Sequence, residues 1–277
     1  MMWWEKSHPL SLIKVGGNKM AQIYKNIKVN GYDLFQRFGL MSVHVKSNEE
    51  RMFGLKRSME IQDGTGNPIF IKVKADRPTF KIELCKTHNG EPTSISEDEL
   101  EEIGRILFVD KMSLIEAGGD LYYGVFTDAE SWFNGARQGY ITLTFEMGVP
   151  HVYSPVYLTP VRVNGSKIVE VFNKSSVKKV VYLDMEIQQL GENGDVIEII
   201  NRTNGTSMKL KNIDKNEVIQ VLGEDVREVY SKTNPDKNIY KDMEYTDFMK
   251  INYGKNNIEI KGKCKVNVKY QLPKILK

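Results

Sequence analysis

The stretch Ile258-Glu259-Ile260-Lys261-Gly262-Lys263-Cys264-Lys265-Val266-Asn267-Val268-Lys269-Tyr270 decides the fold class. Ile258, Ile260, Gly262, Cys264, Val266, Val268 and Tyr270 share one parity, and charged or amide side chains fill the other. A period of two is the signature of a strand with one face on a core and one in water. Two more segments repeat it. Tyr140–Met147 sets Ile141, Leu143, Phe145 and Met147 against Tyr140, Thr142, Thr144 and Glu146, and Val181–Ile187 sets Val181, Leu183, Met185 and Ile187 against Asp184 and Glu186. Shorter strands are predicted at Ile69–Val73, Phe80–Leu84, Val196–Ile200 and Val218–Leu222.

Turn chemistry agrees. Asn-Gly pairs begin at Asn30, Asn89, Asn134, Asn164, Asn193 and Asn204, with Asp63-Gly64 as a seventh candidate. Both residues of such a pair tolerate positive φ, so each is a candidate hairpin turn, and the set predicts antiparallel sheets. One helix interrupts the pattern. Ser96 followed by Glu99 is a capping-box spacing, and Leu100, Ile103 and Leu107 recur at helical intervals, which predicts an amphipathic helix over 97–108.

The chain thus reads as mainly β. A β-rich α+β first half carries one amphipathic helix, and an all-β second half follows. At roughly 150 residues per domain, 277 residues suggest two. Pro150, Pro155 and Pro160 punctuate an uncharged stretch, so the boundary is placed within His151–Val161, giving domains 20–155 and 156–277. Residues 1–19 read either as a translated leader ahead of a start at Met20 or as a flexible arm, with Trp3 and Trp4 packing on a neighbour in the second case. Their apolar segment is split by His8-Pro9, unlike a signal peptide.

Composition is that of a globular chain, 40% apolar and 27% charged. A net charge of +3, from 39 basic and 36 acidic residues, points to neither nucleic acid nor an anionic membrane surface. The longest uncharged run, Met147 to Val161, is too short and too proline-broken to span a bilayer.

The residues that could carry chemistry are few. His8, His44, His88 and His151 lie far apart and show no metal-ligand spacing, so no metal or cofactor site is predicted. Cys264 has the parity of a buried apolar residue, and Cys85, on the polar parity at a strand end, lacks a neighbouring base. Asp184 and Glu186 share a strand face about 6.5–7 Å apart, a spacing compatible with glycoside cleavage, but a solvated strand face produces the same pattern. No catalytic residue is assigned.

Two surface features remain. Lys261, Lys263, Lys265 and Lys269 form a positive stripe that either meets an acidic partner or, as the preferred reading, protects an exposed strand edge from pairing. Aromatics cluster within Gly118–Phe145, and Tyr122, Tyr123, Trp132, Phe133 and Tyr140 are candidates for a subunit contact.

The order of these elements resembles the siphophage distal tail protein family from Ile23 to Pro273. The resemblance rests on Gly31-Tyr32-Asp33, the capped helix, Tyr122-Tyr123-Gly124, Trp132 and Gly139–Phe145, followed by Pro150 and Tyr153-Ser154. In the second half it rests on Ile199–Gly205, Phe248–Ile251, Gly254 and Asn256–Ile260. It implies a ring-forming first domain and a galectin-like antiparallel β-sandwich. It also implies a homo-hexameric hub at the virion tail tip, assembled in the host cytoplasm, which joins the tail tube protein to tail-tip and receptor-binding proteins without enzyme activity or cofactor. The rival readings are a carbohydrate-binding or sugar-cleaving tail module at the host wall and a tube or baseplate protein of a contractile particle. All three tryptophans fall before residue 133, which counts against a sugar groove in the second domain.

Overall fold

The computed structural model describes residues 27–43, 57–62, 69–224 and 226–276. The leader or arm with Trp3 and Trp4, the start at Met20, His8, His44 and the Asp63-Gly64 turn lie outside the described residues. The chain forms two compact units. One runs to Val152 and takes in Ile275 and Leu276, and the other is Tyr153–Lys274.

The first unit begins with β1 (Lys28–Val29), β2 (Tyr32–Asp33), α1 (Leu34–Phe38) and β3 (Leu40–Ser42). A separate hairpin follows, β4 (Arg57–Gln62) with β5 (Ile69–Ala75). Then come β6 (Thr79–His88), β7 (Glu91–Pro92), α2 (Glu97–Leu107), β8 (Ser113–Ala117), β9 (Asp120–Phe133) and β10 (Gly139–Met147). The main sheet is antiparallel in the order β2-β1-β8-β9-β10-β6-β3.

Ile141, Leu143, Phe145 and Met147 alternate into a core they share with Leu84, Phe126 and Ile103, Ile106 and Leu107 of α2. The predicted capping box is present: Ser96 Oγ accepts from the Glu99 N–H at 3.2 Å, and the Glu99 carboxylate accepts from the Ser96 N–H at 2.9 Å. Asn30-Gly31 and Asn89-Gly90 have positive φ at both residues and form the two-residue loops of β1–β2 and β6–β7. A bulge at Thr127 shifts the β9–β10 register, so that even-numbered β9 residues face the core up to Phe126 and odd-numbered ones face it after. Helix α1 was not predicted. It is one turn, capped by Asp33, whose carboxylate accepts from the Gln36 N–H at 2.9 Å, and closed by Gly39 at φ 70°.

At β11 (Val152–Tyr153) the chain enters the second unit. Its elements are β12 (Tyr157–Asn173), β13 (Val181–Tyr182), β14 (Asp184–Gln189), β15 (Ile197–Asn201), β16 (Ser207–Leu210), β17 (Val218–Leu222), β18 (Glu228–Ser231), β19 (Met243–Tyr245), β20 (Lys250–Ile251), β21 (Gly254–Tyr270) and β22 (Pro273–Lys274). Strands β12 and β21 pair along 17 residues, from Tyr157–Tyr270 to Asn173–Gly254. The other edge of β21 is divided: Ile258–Lys261 pair with β15, and Cys264–Lys269 pair with β14.

Gly262 falls between the two stretches with φ 122°. Side chains of the same parity, Ile258 and Ile260 on one side and Cys264, Val266 and Val268 on the other, enter one core together with Met185, Ile187, Ile199, Met208 and Ile219. One continuous sheet therefore folds over at Gly262 and becomes a two-layered sandwich around that core.

Three expectations need correction. Asn164-Gly165 is no turn; it lies within β12 opposite Lys263-Gly262, because a 17-residue pairing partner outweighs local turn preference. Strand β21 is no edge, being paired on both sides, so its lysines do not protect one. The last residues, assigned to the second domain by the 156–277 boundary, instead belong to the first unit, where the apolar Leu276 is buried in the core.

Candidate functional site

Among the described residues no group of three or more His, Cys, Asp or Glu could hold a metal ion. Burial raises the Cys85 thiol pKa and pushes that of Cys264 up to about 11. Neither is a thiolate nucleophile at neutral pH. Cys85 is more enclosed than its parity suggested, because β6 runs on past it to His88 and it is flanked in register by Met41 and Tyr140. His88 is exposed and His151 buried.

The carboxylate pair is held by structural bonds. Asp184 accepts the Gly223 N–H at 2.8 Å. Glu186 accepts Lys232 at 2.6 Å and Asn267 at 3.2 Å. The Lys232 hydrogen bond keeps Glu186 below the usual glutamate range, with a smaller opposing effect of burial. A glycosidase acid needs the opposite shift.

The motifs of the second half that lie far apart in sequence converge at one corner. Asn201 and Asn204 both donate to the Lys250 carbonyl, at 2.8 and 2.9 Å, and Asn201 also donates to Asn256 Oδ1 at 3.2 Å. Asn256 in turn accepts from the Asn252 N–H at 3.0 Å. These side chains satisfy turn backbone rather than presenting groups to a ligand.

The surfaces available for assembly are clearer. The five aromatics do not form one patch. Tyr122 and Phe133 face inward and pack beside the core, Tyr122 edge-on to Phe80 at 5.8 Å. Tyr123 faces outward at the opposite end of β9 from Trp132. Trp132 and Tyr140 are cross-strand neighbours on the outward face, and Trp132 is 71% exposed. Beside them run Glu130–Thr142–Glu83 and Asp128–Thr144–Lys81. Burial raises the Tyr140 hydroxyl pKa, reinforced by Cys85 and Glu83. Along β9, β8 pairs with Asp120–Gly124, and β11 is a further partner of the same strand.

The β4–β5 hairpin was half foreseen, at Ile69–Val73. Its register puts Met59 opposite Val73 and Ile61 opposite Phe70, all four exposed, while Glu60 on the other face pairs with Lys72 and Lys74 at 3.6 and 3.1 Å. Of the lysine stripe, Lys263, Lys265 and Lys269 are exposed, and Lys261 is bonded to Glu198 at 2.8 Å.

Residues 153–270 match the family described as phage tail C-terminal domain. No curated protein matches the sequence. The fold is similar to the crystal structure of the phage SPP1 Dit (gp 19.1) protein, described as a paradigm of the hub adsorption apparatus in phages infecting Gram-positive bacteria. That likeness has a TM-score of 0.61 at 14% identity, over 91% of this chain and 98% of that one. It is similar also to a chain of the phage P2 baseplate in its activated conformation, with a TM-score of 0.53 at 13% identity over 87% and 92% of the two chains. The second unit is therefore similar over residues 153–270 to a phage tail C-terminal domain, and over nearly its whole length the chain has a mainly β fold like that of the phage SPP1 Dit protein.

Proposed function

We propose that this protein is the structural hub at the distal end of a phage tail. Six copies close into a ring through the first unit, and the ring joins the tail tube protein to the tail-tip and receptor-binding proteins. It works at the virion tail tip, after assembly in the host cytoplasm, without catalysis or cofactor. The observation that carries this reading is the fold, shared along both units with a phage hub protein.

The surfaces of the first unit support it. A ring needs one heterologous contact repeated around a closed axis. The outward Trp132 with Tyr140 and the apolar face of the β4–β5 hairpin supply surface for such a contact. Tyr123 is the other outward aromatic of the strand, whereas Tyr122 and Phe133 support the contact from beneath. An isolated two-stranded hairpin is marginal in water, so covering Met59, Ile61, Phe70 and Val73 would stabilise both hairpin and ring.

Negative-stain microscopy of the purified full chain tests the reading. Six-fold rings are the expected result. Trp132→Ala should abolish them while shifting the melting free energy by only about 0.5 kcal/mol, as for an exposed side chain. A strictly monomeric wild-type protein at high concentration would refute ring closure.

A further inference from the structure

The outward face of the β12–β21 ribbon carries cations whose balance changes along its length. At one end Lys255 pairs with Glu170 at 2.5 Å, Arg202 pairs with Glu259, and Lys261 pairs with Glu198 at 2.8 Å. At the other end Lys269 stands opposite Asp184 and in the field of Glu186. Between them Arg162, Lys263 and Lys265 are exposed, and among the described residues no carboxylate is bonded to any of the three. Arg162 lies directly opposite Lys265, whose neighbour on the other side is Gln188, and Lys263 lies opposite Asn164. Like charges in direct opposition weaken a sheet. Folding gains nothing from this arrangement.

A second feature adjoins it. Strand β12 pairs with β21 and with no other strand among the described residues, so its far edge presents open backbone groups along a 17-residue strand, with no N–H at Pro160. Leu158 and Ile168 are exposed on the same outward parity as Arg162, one on each side of it.

We propose that an acidic, extended segment of another polypeptide adds to the free edge of β12 as a further strand and sets its carboxylates toward Arg162, Lys263 and Lys265. Open backbone groups select a peptide over a glycan or a phosphate polymer. The unbalanced cations select carboxylates. Alternate side chains repeat about every 6.5–7 Å on any strand, so carboxylates at every second position of the added strand keep step with Lys263 and Lys265. Leu158 and Ile168 give apolar side chains of that strand a place to pack. A second β12 would bring its own Arg162 to this face, so a like copy is the wrong partner. This surface lies wholly in the second unit, and its occupation does not depend on ring closure.

The test uses the full chain and a fluorescent peptide of about eight residues alternating Glu and Val, long enough to cover the cations at strand rise. Controls are a Glu-Pro peptide, which keeps the charge but cannot complete a strand ladder, and inorganic polyphosphate. Anisotropy should show binding of the Glu-Val peptide that weakens as salt rises. Lys263→Glu with Lys265→Glu should weaken it about tenfold or more, and so should replacement of the probe by Glu-Pro. Lys263→Gln with Lys265→Gln, which adds no new charge to the sheet, should weaken it in the same direction with an unchanged urea midpoint. Lys215→Glu, at a lysine paired with Glu192, should leave binding unchanged. Equal binding of Glu-Pro or polyphosphate would overturn the strand-addition proposal. So would indifference to the lysine changes, or self-association of the wild-type chain that disappears in those variants.

Discussion

Gly262→Ala should destabilise the second unit far more than Gly165→Ala, although the two glycines are opposite each other in the same ribbon. At Gly165, φ is +97° and an added Cβ would meet nothing within 4 Å, so only backbone strain is incurred, about 1–2 kcal/mol. At Gly262, φ is +122° and a Cβ would lie 2.8 Å from the Val196 carbonyl oxygen and 3.3 Å from the Ile197 Cα. Neither is the end of a flexible side chain, so the fold-over itself must shift. Overpacking of that kind costs about 1–3 kcal/mol. Added to the strain, it brings the total to about 2–5 kcal/mol. With a urea slope of about 2 kcal/mol/M for a unit of this size, the midpoint should fall by about 1–2.5 M for Gly262→Ala and by about 0.5–1 M for Gly165→Ala. The assay is urea unfolding followed by far-ultraviolet circular dichroism. Equal shifts would refute the argument that the sheet turns over because Val196 and Ile197 approach a position with no side chain.

The remaining predictions concern local devices. Burial alone would raise the Glu217 pKa, but the Lys237 ammonium at 2.7 Å, the Asp214 backbone and Ser231 hold it below the ordinary value of 4.5. A depressed carboxylate contributes stability above its unfolded pKa and loses it as pH falls through the folded value. The second unit should therefore weaken on acidification below 4.5. Lys237→Met should cost about 2–4 kcal/mol at neutral pH and recover part of that in acid, where Glu217 is buried neutral; a constant difference across pH would contradict this. Ser96→Ala removes one arm of the capping box and should lower the stability of the first unit by about 1 kcal/mol in thermal melts. With a thiol pKa near 11 and no exposed surface, Cys264 should react with a thiol reagent only at the rate of unfolding, and stoichiometric labelling of the native protein would refute its burial.

What could be read from the sequence was whatever repeats locally. Ile258–Tyr270 and Tyr140–Met147 alternate because one face of each strand meets a core, and Ser96-Glu99 announces a helix because a cap needs only four consecutive residues. Pairing partners are not local. Nothing in Lys261–Lys269 says that β14 and β15 share its far edge, so a central strand read as an exposed one. Asn164-Gly165 carries the same letters as Asn30-Gly31, but only the latter lacks a long opposing strand to keep it extended. A bulge of one residue at Thr127 reversed the parity along β9 and separated Trp132 from Tyr122, although both are aromatic and even-numbered. Helix α1, five residues long, is too brief for any period to show; the signals that could have found it are Asp33 and Gly39 at its ends. The surface cations Arg162, Lys263 and Lys265 were half visible, because their parity is in the sequence while the carboxylates that pair with their neighbours come from other strands.

The return of Leu276 to the core of the first unit imposes an order on synthesis. Val152 leaves the ribosome 124 residues ahead of Leu276, an interval of about 6–25 s at usual elongation rates. Throughout that interval the first unit lacks one core leucine, a gap that costs about 2–5 kcal/mol when made by mutation. The second unit, the unbroken segment Tyr153–Lys274, is itself complete only at Lys274, two residues ahead of Leu276. The part of the chain translated first is thus completed last, and a nascent chain stalled between Val152 and Leu276 would carry a first unit whose core is still open.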